Sequence, residues 1–156
     1  MMVAARAALT VSDLIMKSPA HLWIIGSVTL LWNLIGAADY TLTQMRYPSY
    51  MAHFTAEQVV FVTSCPVWAQ ATWAIGVWGG LAGSLLLLRR SALAVIIFAL
   101  SLLGAIATDI YSFGLAPVKM HEIAGQGALW FAAVIFVIAV AEWLYARRMR
   151  QLAYLS

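Results

Sequence analysis

Residues 66–88 read PVWAQATWAIGVWGGLAGSLLLL and are followed directly by Arg89 and Arg90. This stretch has no charged side chain, and it is longer than the ~20 residues that a helix needs to cross about 30 Å of hydrocarbon. The sequence therefore predicts an all-α polytopic membrane protein, a four-transmembrane-helix bundle. The other three predicted spans lie on either side of it, at residues 21–41, 91–113 and 125–146.

The composition agrees with a membrane protein. Of the 156 residues, 64% are hydrophobic and 10% charged, and the mean hydropathy is +0.90, whereas an ordinary soluble domain has about 25% charged residues. The charges lie mainly in loops, where basic residues set orientation, so we expect no nucleic-acid partner. The single cysteine, Cys65, excludes an internal disulfide and a cysteine-based metal cluster.

The basic residues divide unequally between the two sides of the predicted membrane. Of nine Lys and Arg residues, only Arg46 and Lys119 lie in the loops 42–65 and 114–124. The positive-inside rule then predicts that both termini are cytoplasmic, and we expect a bacterial inner membrane. The basic residues on the predicted cytoplasmic side are Arg6, Lys17, Arg89, Arg90, Arg147, Arg148 and Arg150.

The predicted membrane domain, residues 18–146, has a segment on each side of it. Residues 1–17 are expected to form a cytoplasmic or interfacial segment, and residues 147–156 a basic cytoplasmic tail. Within the long loop 42–65, the run from Thr55 to Gln58 is typical of a capping box that opens a helix. We therefore expect this loop to be structured.

The second span has one face almost without side chains. Small residues let another backbone approach closely and support helix association in lipid. The sequence predicts helix packing on this face, either within one chain or between copies of a homo-oligomer. At 100° per residue, the face consists of Thr72, Gly76, Gly79, Gly80 and Gly83.

The first and third spans each have a polar stripe with an aspartate near its outer end. Asn33 lies near the middle of the bilayer, where an unpaired amide is costly, so we expect it to form a hydrogen bond with another helix. The candidate residues for a polar solute site are Asn33, Asp39, Tyr40, Thr108, Asp109 and Tyr111.

Two hypotheses compete for the aspartates. In the first, Asp39 and Asp109 converge on an outward-facing polar vestibule, where one acid carries a proton or binds a cation. In the second, each aspartate pairs with Arg46, Lys119 or backbone donors and holds the outer loops in place. The sequence leaves both open.

Three outer-loop residues, His53, His121 and Glu122, are of metal-ligand types, but their spacing matches no paired-ligand motif. The sequence has no haem, nucleotide or metal-cluster signature. It also has no phosphate-binding glycine loop, nucleophile elbow or metalloprotease motif, so we do not expect an enzyme. Glu142, near the inner end of the fourth span, is expected to extend toward Arg147 or Arg148.

Several short motifs lie in the first three spans: LWNLIG at 31–36, Asp39-Tyr40, PVW at 66–68, WAIGVWGG at 73–80 and TDIY at 108–111. With them, residues 30–113 resemble a group of small bacterial multi-spanning membrane proteins often labelled as sugar transporters. The resemblance implies a transport function. It brings no established catalytic or substrate-binding residues to this chain.

Together these features predict a small integral inner-membrane protein that binds or transports a small polar or cationic solute from its outer side. Four short helices leave little room for a sugar-sized pathway in one protomer, so we expect self-association. The alternative is a non-catalytic accessory subunit that docks onto a larger membrane complex through its glycine face and tryptophans.

Overall fold

The computed structural model describes residues 19–156, so the predicted N-terminal segment 1–17 lies outside the described residues. Over the described range the chain is helical and has no β-strand. Its helices are α1 (Ala20–Gln44), α2 (Pro48–Met51), α3 (Ala56–Ser64), α4 (Val67–Leu88), α5 (Leu93–Ile110) with a π-helical turn (Tyr111–Leu115), α6 (Met120–Ala124) and α7 (Gly127–Gln151).

Four of these helices are long and apolar enough to span a membrane: α1, α4, α5 with its π-helical turn, and α7. Their most apolar windows have mean hydropathies of 1.4 to 2.3, yet only 6 to 22% of those residues are buried inside the protein. Apolar surface that faces outward is the pattern expected for contact with lipid. The predicted four-helix membrane bundle is confirmed. Helix α7 continues through the basic residues to Gln151, five residues beyond the predicted span.

The spanning helices pack in chain order. Helix α4 contacts both α1 and α5, and α5 contacts α7. The closest approach joins α4 and α5, where a Cβ on Gly104 would lie 2.7 Å from the backbone nitrogen of Gly76. A Cβ on Gly80 would lie 2.0 Å from Oδ1 of Asn33 on α1. The glycine face of α4 is therefore covered by α5 and α1 of the same chain.

One end of the bundle, called here the terminal face, consists of the α4–α5 connection 89–92 and residues 152–156. Ser156 donates a hydrogen bond to Arg90 O (2.9 Å) and accepts one from the Ala92 nitrogen (3.0 Å). Beneath these contacts, buried apolar side chains fill the bundle, so this end is closed. They are Leu22, Leu87, Ala94, Phe98, Ala146, Met149 and Leu155.

The opposite end, called here the loop face, consists of residues 45–66 and 116–126. The predicted capping box of α3 is confirmed, because Thr55 Oγ1 accepts from the Gln58 nitrogen (3.2 Å) and Gln58 Oε1 accepts from the Thr55 nitrogen (3.0 Å). A small core of Ala69, Tyr111 and Ala116 joins this face to the spanning helices.

Candidate functional site

A cavity of about 460 Å³ lies between the four spanning helices. The cavity exists because several positions of its wall carry small residues, where larger side chains would fill the space. These residues are Gly36, Gly76, Ala105 and Ala139. The volume lies within the range of about 300 to 1,000 Å³ that is usual for small-molecule sites, so one protomer has more room than expected from its four short helices. The lining residues are Trp32, Asn33, Ile35, Gly36, Asp39, Tyr50, Trp73, Gly76, Val77, Ser101, Ala105, Thr108, Asp109, Phe131, Ile135, Ala139 and Glu142.

The cavity brings together four of the six candidate residues for a solute site: Asn33, Asp39, Thr108 and Asp109. Helix α1 supplies Asn33 and Asp39, and helix α5 supplies Thr108 and Asp109. The cavity therefore joins residues that are far apart in sequence. The two aspartates face one cavity, as the vestibule hypothesis requires.

The other two candidates, Tyr40 and Tyr111, are not among the lining residues. The Tyr40 ring packs edge-on against Trp73, with centroids 4.9 Å apart. Tyr111 packs edge-on against Trp68 at 5.4 Å. Tyr40 and Tyr111 come one and two residues after Asp39 and Asp109, which are the last cavity-lining residues of α1 and α5. Each tyrosine is therefore rotated about 100° or 200° around its helix from the aspartate.

A polar network lies deep in the bundle around Asn33. Its amide nitrogen is within hydrogen-bond distance of Glu142 Oε1 on α7 (2.7 Å) and Ser84 Oγ on α4 (3.1 Å). The same nitrogen is 2.9 Å from the carbonyl oxygen of Thr29. The predicted bond from Asn33 to another helix is confirmed.

Glu142 belongs to this network. Its side chain is 6% exposed, and within residues 19–156 it makes no ion pair with Arg147 or Arg148. The guanidinium of Arg147 instead lies 4.8 Å from the centre of the Trp143 ring. The prediction that Glu142 extends toward the arginines is wrong, because it lies on the face of α7 opposite Asn33. Oε1 accepts from Asn33, whereas Oε2 makes no hydrogen bond with the described residues.

Toward the loop face, Tyr50 of α2 covers the cavity. Its hydroxyl donates a hydrogen bond to Oδ1 of Asp39. Partial burial, with smaller contributions from this bond and from the charge of Asp39, raises the pKa of Tyr50 from 10.0 to about 12. The phenol therefore stays protonated and remains a donor at physiological pH. This contact links the short loop helix α2 to the acid in α1.

The ion pairs of the second hypothesis are not found among the described residues. The ammonium of Lys119 donates to the carbonyl oxygen of Ala116, and Arg46 is exposed. Asp109 is half-buried and lines the cavity without a hydrogen bond or ion pair to any residue of 19–156. Beside it, the hydroxyls of Thr108 and Thr72 lie 3.2 Å apart.

The charges of the cavity wall have one sign. Asp39, Asp109 and Glu142 contribute three carboxyl groups, and no Lys, Arg or His is among the lining residues. The wall also includes the aromatic rings of Trp32, Trp73, Tyr50 and Phe131. Aromatic faces attract cations through their quadrupole. Carboxyl groups with aromatic rings form a surface suited to a cation.

The three metal candidates lie apart from this cavity. His53 Nδ1 lies 3.0 Å from the carbonyl oxygen of Ser49, and the ring of His121 stacks on Phe113. Glu122 accepts from the backbone nitrogen of Lys119 (3.0 Å). Among residues 19–156, no group of three or more His, Cys, Asp or Glu residues is placed to hold a metal ion.

A second cavity, of about 650 Å³, lies at the loop face between α3 and α6. Its wall is largely apolar and includes Phe61, Tyr111 and Ile123, with Glu57 and Glu122 as its carboxylates. Nearby, burial raises the pKa of the Cys65 thiol, against a smaller lowering by a hydrogen bond with Tyr111. This cavity lies outside the bundle, so the interhelical cavity, where polar groups from four helices converge, is the candidate site.

Sequence reasoning missed several residues of this site, above all Glu142 and Tyr50. Glu142 had a usable signal, because an ionisable residue within a span is a functional candidate by default. Tyr50 had none, because nothing in its loop indicates that it reaches Asp39. Trp73 and Ser101 also line the cavity, and Ser101 donates to the carbonyl oxygen of Gly76 (2.6 Å).

Comparison of the chain with family models, curated proteins and solved structures found no match.

Proposed function

We propose that this protein is a bacterial inner-membrane transporter, with both termini cytoplasmic, that binds a small cationic solute in the interhelical cavity. The observation that supports this most strongly is the wall of that cavity, which has three carboxyl groups and no basic side chain. Ionised carboxylates are costly inside a membrane protein unless they are paired. A bound cation would pair them.

The cavity composition favours a cation over a neutral sugar. A sugar would contact the aromatic rings and donate hydrogen bonds to the carboxyl groups, but it would bring no charge to Asp39, Asp109 and Glu142. The resemblance to proteins labelled as sugar transporters supports transport, while the charges of this chain's own cavity indicate a different solute class.

The direction of entry follows from the two ends of the bundle. The terminal face is closed by buried side chains such as Leu22, Leu87 and Phe98. The loop face is closed over the cavity by Tyr50, which belongs to a four-residue helix with no buried residue. Short surface helices open at low free-energy cost. The solute therefore enters from the loop face, which the basic-residue count predicts to be outside.

No observation favours the accessory-subunit alternative to the same degree. That alternative relied on the glycine face of α4 as a docking surface, and Gly76, Gly80 and Gly83 are covered by residues of α5 and α1. The proposed function is non-enzymatic, and its solute site is complete within one chain. Self-association is not required for binding.

Binding of two matched molecules to the purified protein in nanodiscs tests the proposal. Hexylamine and 1-hexanol have the same chain, but only the amine is cationic at neutral pH. A hydrogen bond to a charged group contributes about 1.5 to 3 kcal/mol, so hexylamine should bind about tenfold or more tightly than 1-hexanol. Equilibrium dialysis, with empty nanodiscs to correct for partition into lipid, measures both affinities.

A variant without the two aspartate charges tests whether these charges cause the preference for the amine. In Asp39→Asn with Asp109→Asn, the preference for hexylamine should fall several-fold while the binding of 1-hexanol is unchanged. Transport is tested by uptake of radiolabelled tetramethylammonium, a permanent cation, into proteoliposomes. Equal binding of the amine and the alcohol by the wild type would refute the proposed solute class.

A further inference from the structure

The carboxyl groups of the interhelical cavity lie at two separate depths. Asp39 and Asp109 form one level toward the loop face, and Glu142 forms the other, deeper in the bundle. On α1, Asn33, which bonds to Glu142, precedes Asp39 by six residues. At 1.5 Å per residue, the two levels are about 9 Å apart along the helix.

Contacts between helices establish which residues share a level. Tyr40 packs on Trp73, and the adjacent Thr72 meets Thr108, so Asp39 and Asp109 lie at the same height along α4. At the deeper level, Asn33 reaches Ser84 and Glu142. Each level therefore contains residues from at least three spanning helices.

The wall between the two levels is mainly apolar, and its polar side chain, Ser101, donates to the carbonyl oxygen of Gly76. A Cβ on Gly36 would be 3.8 Å from Cγ1 of Val77, and both residues line the cavity between Asn33 and Asp39. On α7, Ile135 and Ala139 face the same space. The cavity thus has acidic groups at both ends and a mainly hydrocarbon wall in the middle.

This arrangement matches a particular kind of cation. A single metal ion is bound by oxygens within about 2.6 Å, so it cannot contact both levels. A monovalent amine would meet one level and leave the other without a counter-charge. A methylene chain with an ammonium group at each end would contact both levels and place its chain against the apolar wall.

On the basis of the proposed function, we propose that the solute is a linear aliphatic diamine in its doubly charged form. It binds with its chain parallel to the helices. One ammonium group contacts Asp39 and Asp109, below the ring of Tyr50. The other contacts Glu142, whose side chain is buried and whose Oε2 has no hydrogen-bond partner within residues 19–156.

The test compares 1,6-diaminohexane with hexylamine, which has the same chain and one charge fewer. Equilibrium dialysis against the protein in nanodiscs should show about tenfold or more tighter binding of the diamine, the effect of one further charge-assisted contact. Along the series of 1,4-diaminobutane, 1,6-diaminohexane and 1,8-diaminooctane, the advantage over the matched monoamine should pass through a maximum, because the two levels have a set spacing.

Two variants test whether Glu142 binds the second ammonium group of the diamine. Glu142→Gln retains an oxygen that can accept from Asn33, and it should remove most of the advantage of the diamine over hexylamine. Glu57→Gln changes a carboxylate of the loop-face cavity, outside the interhelical one, and should preserve the advantage. If Glu142→Gln does not fold, the length series on the wild type still decides the question.

Equal affinities for 1,6-diaminohexane and hexylamine, with hexylamine still preferred over 1-hexanol, would overturn the diamine inference and leave the proposed function standing. An advantage over the matched monoamine that shows no maximum along the length series would overturn it as well, because two levels at a set spacing require a preferred distance between the ammonium groups. If neither amine binds better than 1-hexanol, both the inference and the proposed function fail.

Discussion

Asn33 and Glu142 illustrate how single polar side chains are accommodated inside this bundle. An unpaired amide in an apolar environment costs about 1 to 3 kcal/mol by mutational measurement, and Asn33 avoids this by hydrogen bonds to α4 and α7. Room for its amide comes from Gly80, where a Cβ would lie 2.0 Å from Oδ1. The polar residue and the glycine therefore depend on each other.

Tyr50 leads to a prediction about pH. Its pKa is about 12 in the folded protein against 10.0 in the unfolded chain. Between these values the unfolded chain has lost a proton that the folded protein keeps, so stability should fall as pH rises from about 10 to about 12. Below pH 10 this group contributes no pH dependence.

Detergent unfolding of the wild type and of Tyr50→Phe, measured at intervals over this pH range, checks the prediction. Between pH 10 and pH 12, the stability of Tyr50→Phe should fall less than that of the wild type. Tyr47→Phe, at a tyrosine that is 50% exposed, should behave as the wild type does. An identical pH dependence for Tyr50→Phe and the wild type would contradict the assignment.

Among the elements, the pair α4 and α5 is packed most closely. A Cβ on Gly104 would lie 2.7 Å from both the Gly76 nitrogen and the Thr72 oxygen, and both are backbone atoms that cannot rotate away. Gly104→Ala should therefore destabilise the protein by about 1 to 3 kcal/mol, the usual cost of overpacking.

Gly127→Ala is the matched control, because no atom lies within 4 Å of a Cβ at this first residue of α7. Alanine is also the better helix former, so this variant should be as stable as the wild type or slightly more stable. Unfolding in sodium dodecyl sulfate, followed by circular dichroism, compares the two variants. Equal stability of Gly104→Ala and Gly127→Ala would show that α4 and α5 do not approach so closely.

At the scale of the whole molecule, the two ends differ in construction. The terminal face is closed by side chains from α1, α4, α5 and α7 together with Leu155. The loop face has short helices, and the cavity below it is covered by Tyr50. This asymmetry, with the positive-inside rule, leads to a prediction about orientation.

Orientation can be measured with single cysteines in a Cys65→Ala background. Glu57→Cys lies on the loop face and Arg150→Cys near the terminal face, and both positions are exposed. In intact bacterial cells, a membrane-impermeant maleimide should label the first variant, and the second only after lysis. The reverse pattern would place the loop face in the cytoplasm and contradict the proposed direction of entry.

Much of the fold followed from the chain alone. The number of spanning helices follows from the lengths of the apolar stretches, because a bilayer imposes both a length and full backbone hydrogen bonding on any segment that crosses it. The Thr55 capping box was also predictable, since its partners are three residues apart. Local spacing sufficed for both features.

The interhelical cavity could be predicted only in part. Helical spacing indicated that Asn33 and Asp39 share a face, as do Thr108 and Asp109. It could not show that Glu142 of α7 joins Asn33, that Tyr50 reaches Asp39, or that Tyr40 and Tyr111 pack elsewhere. These contacts depend on the rotation of each helix about its axis and on which helices are neighbours, and packing between residues far apart in sequence decides both.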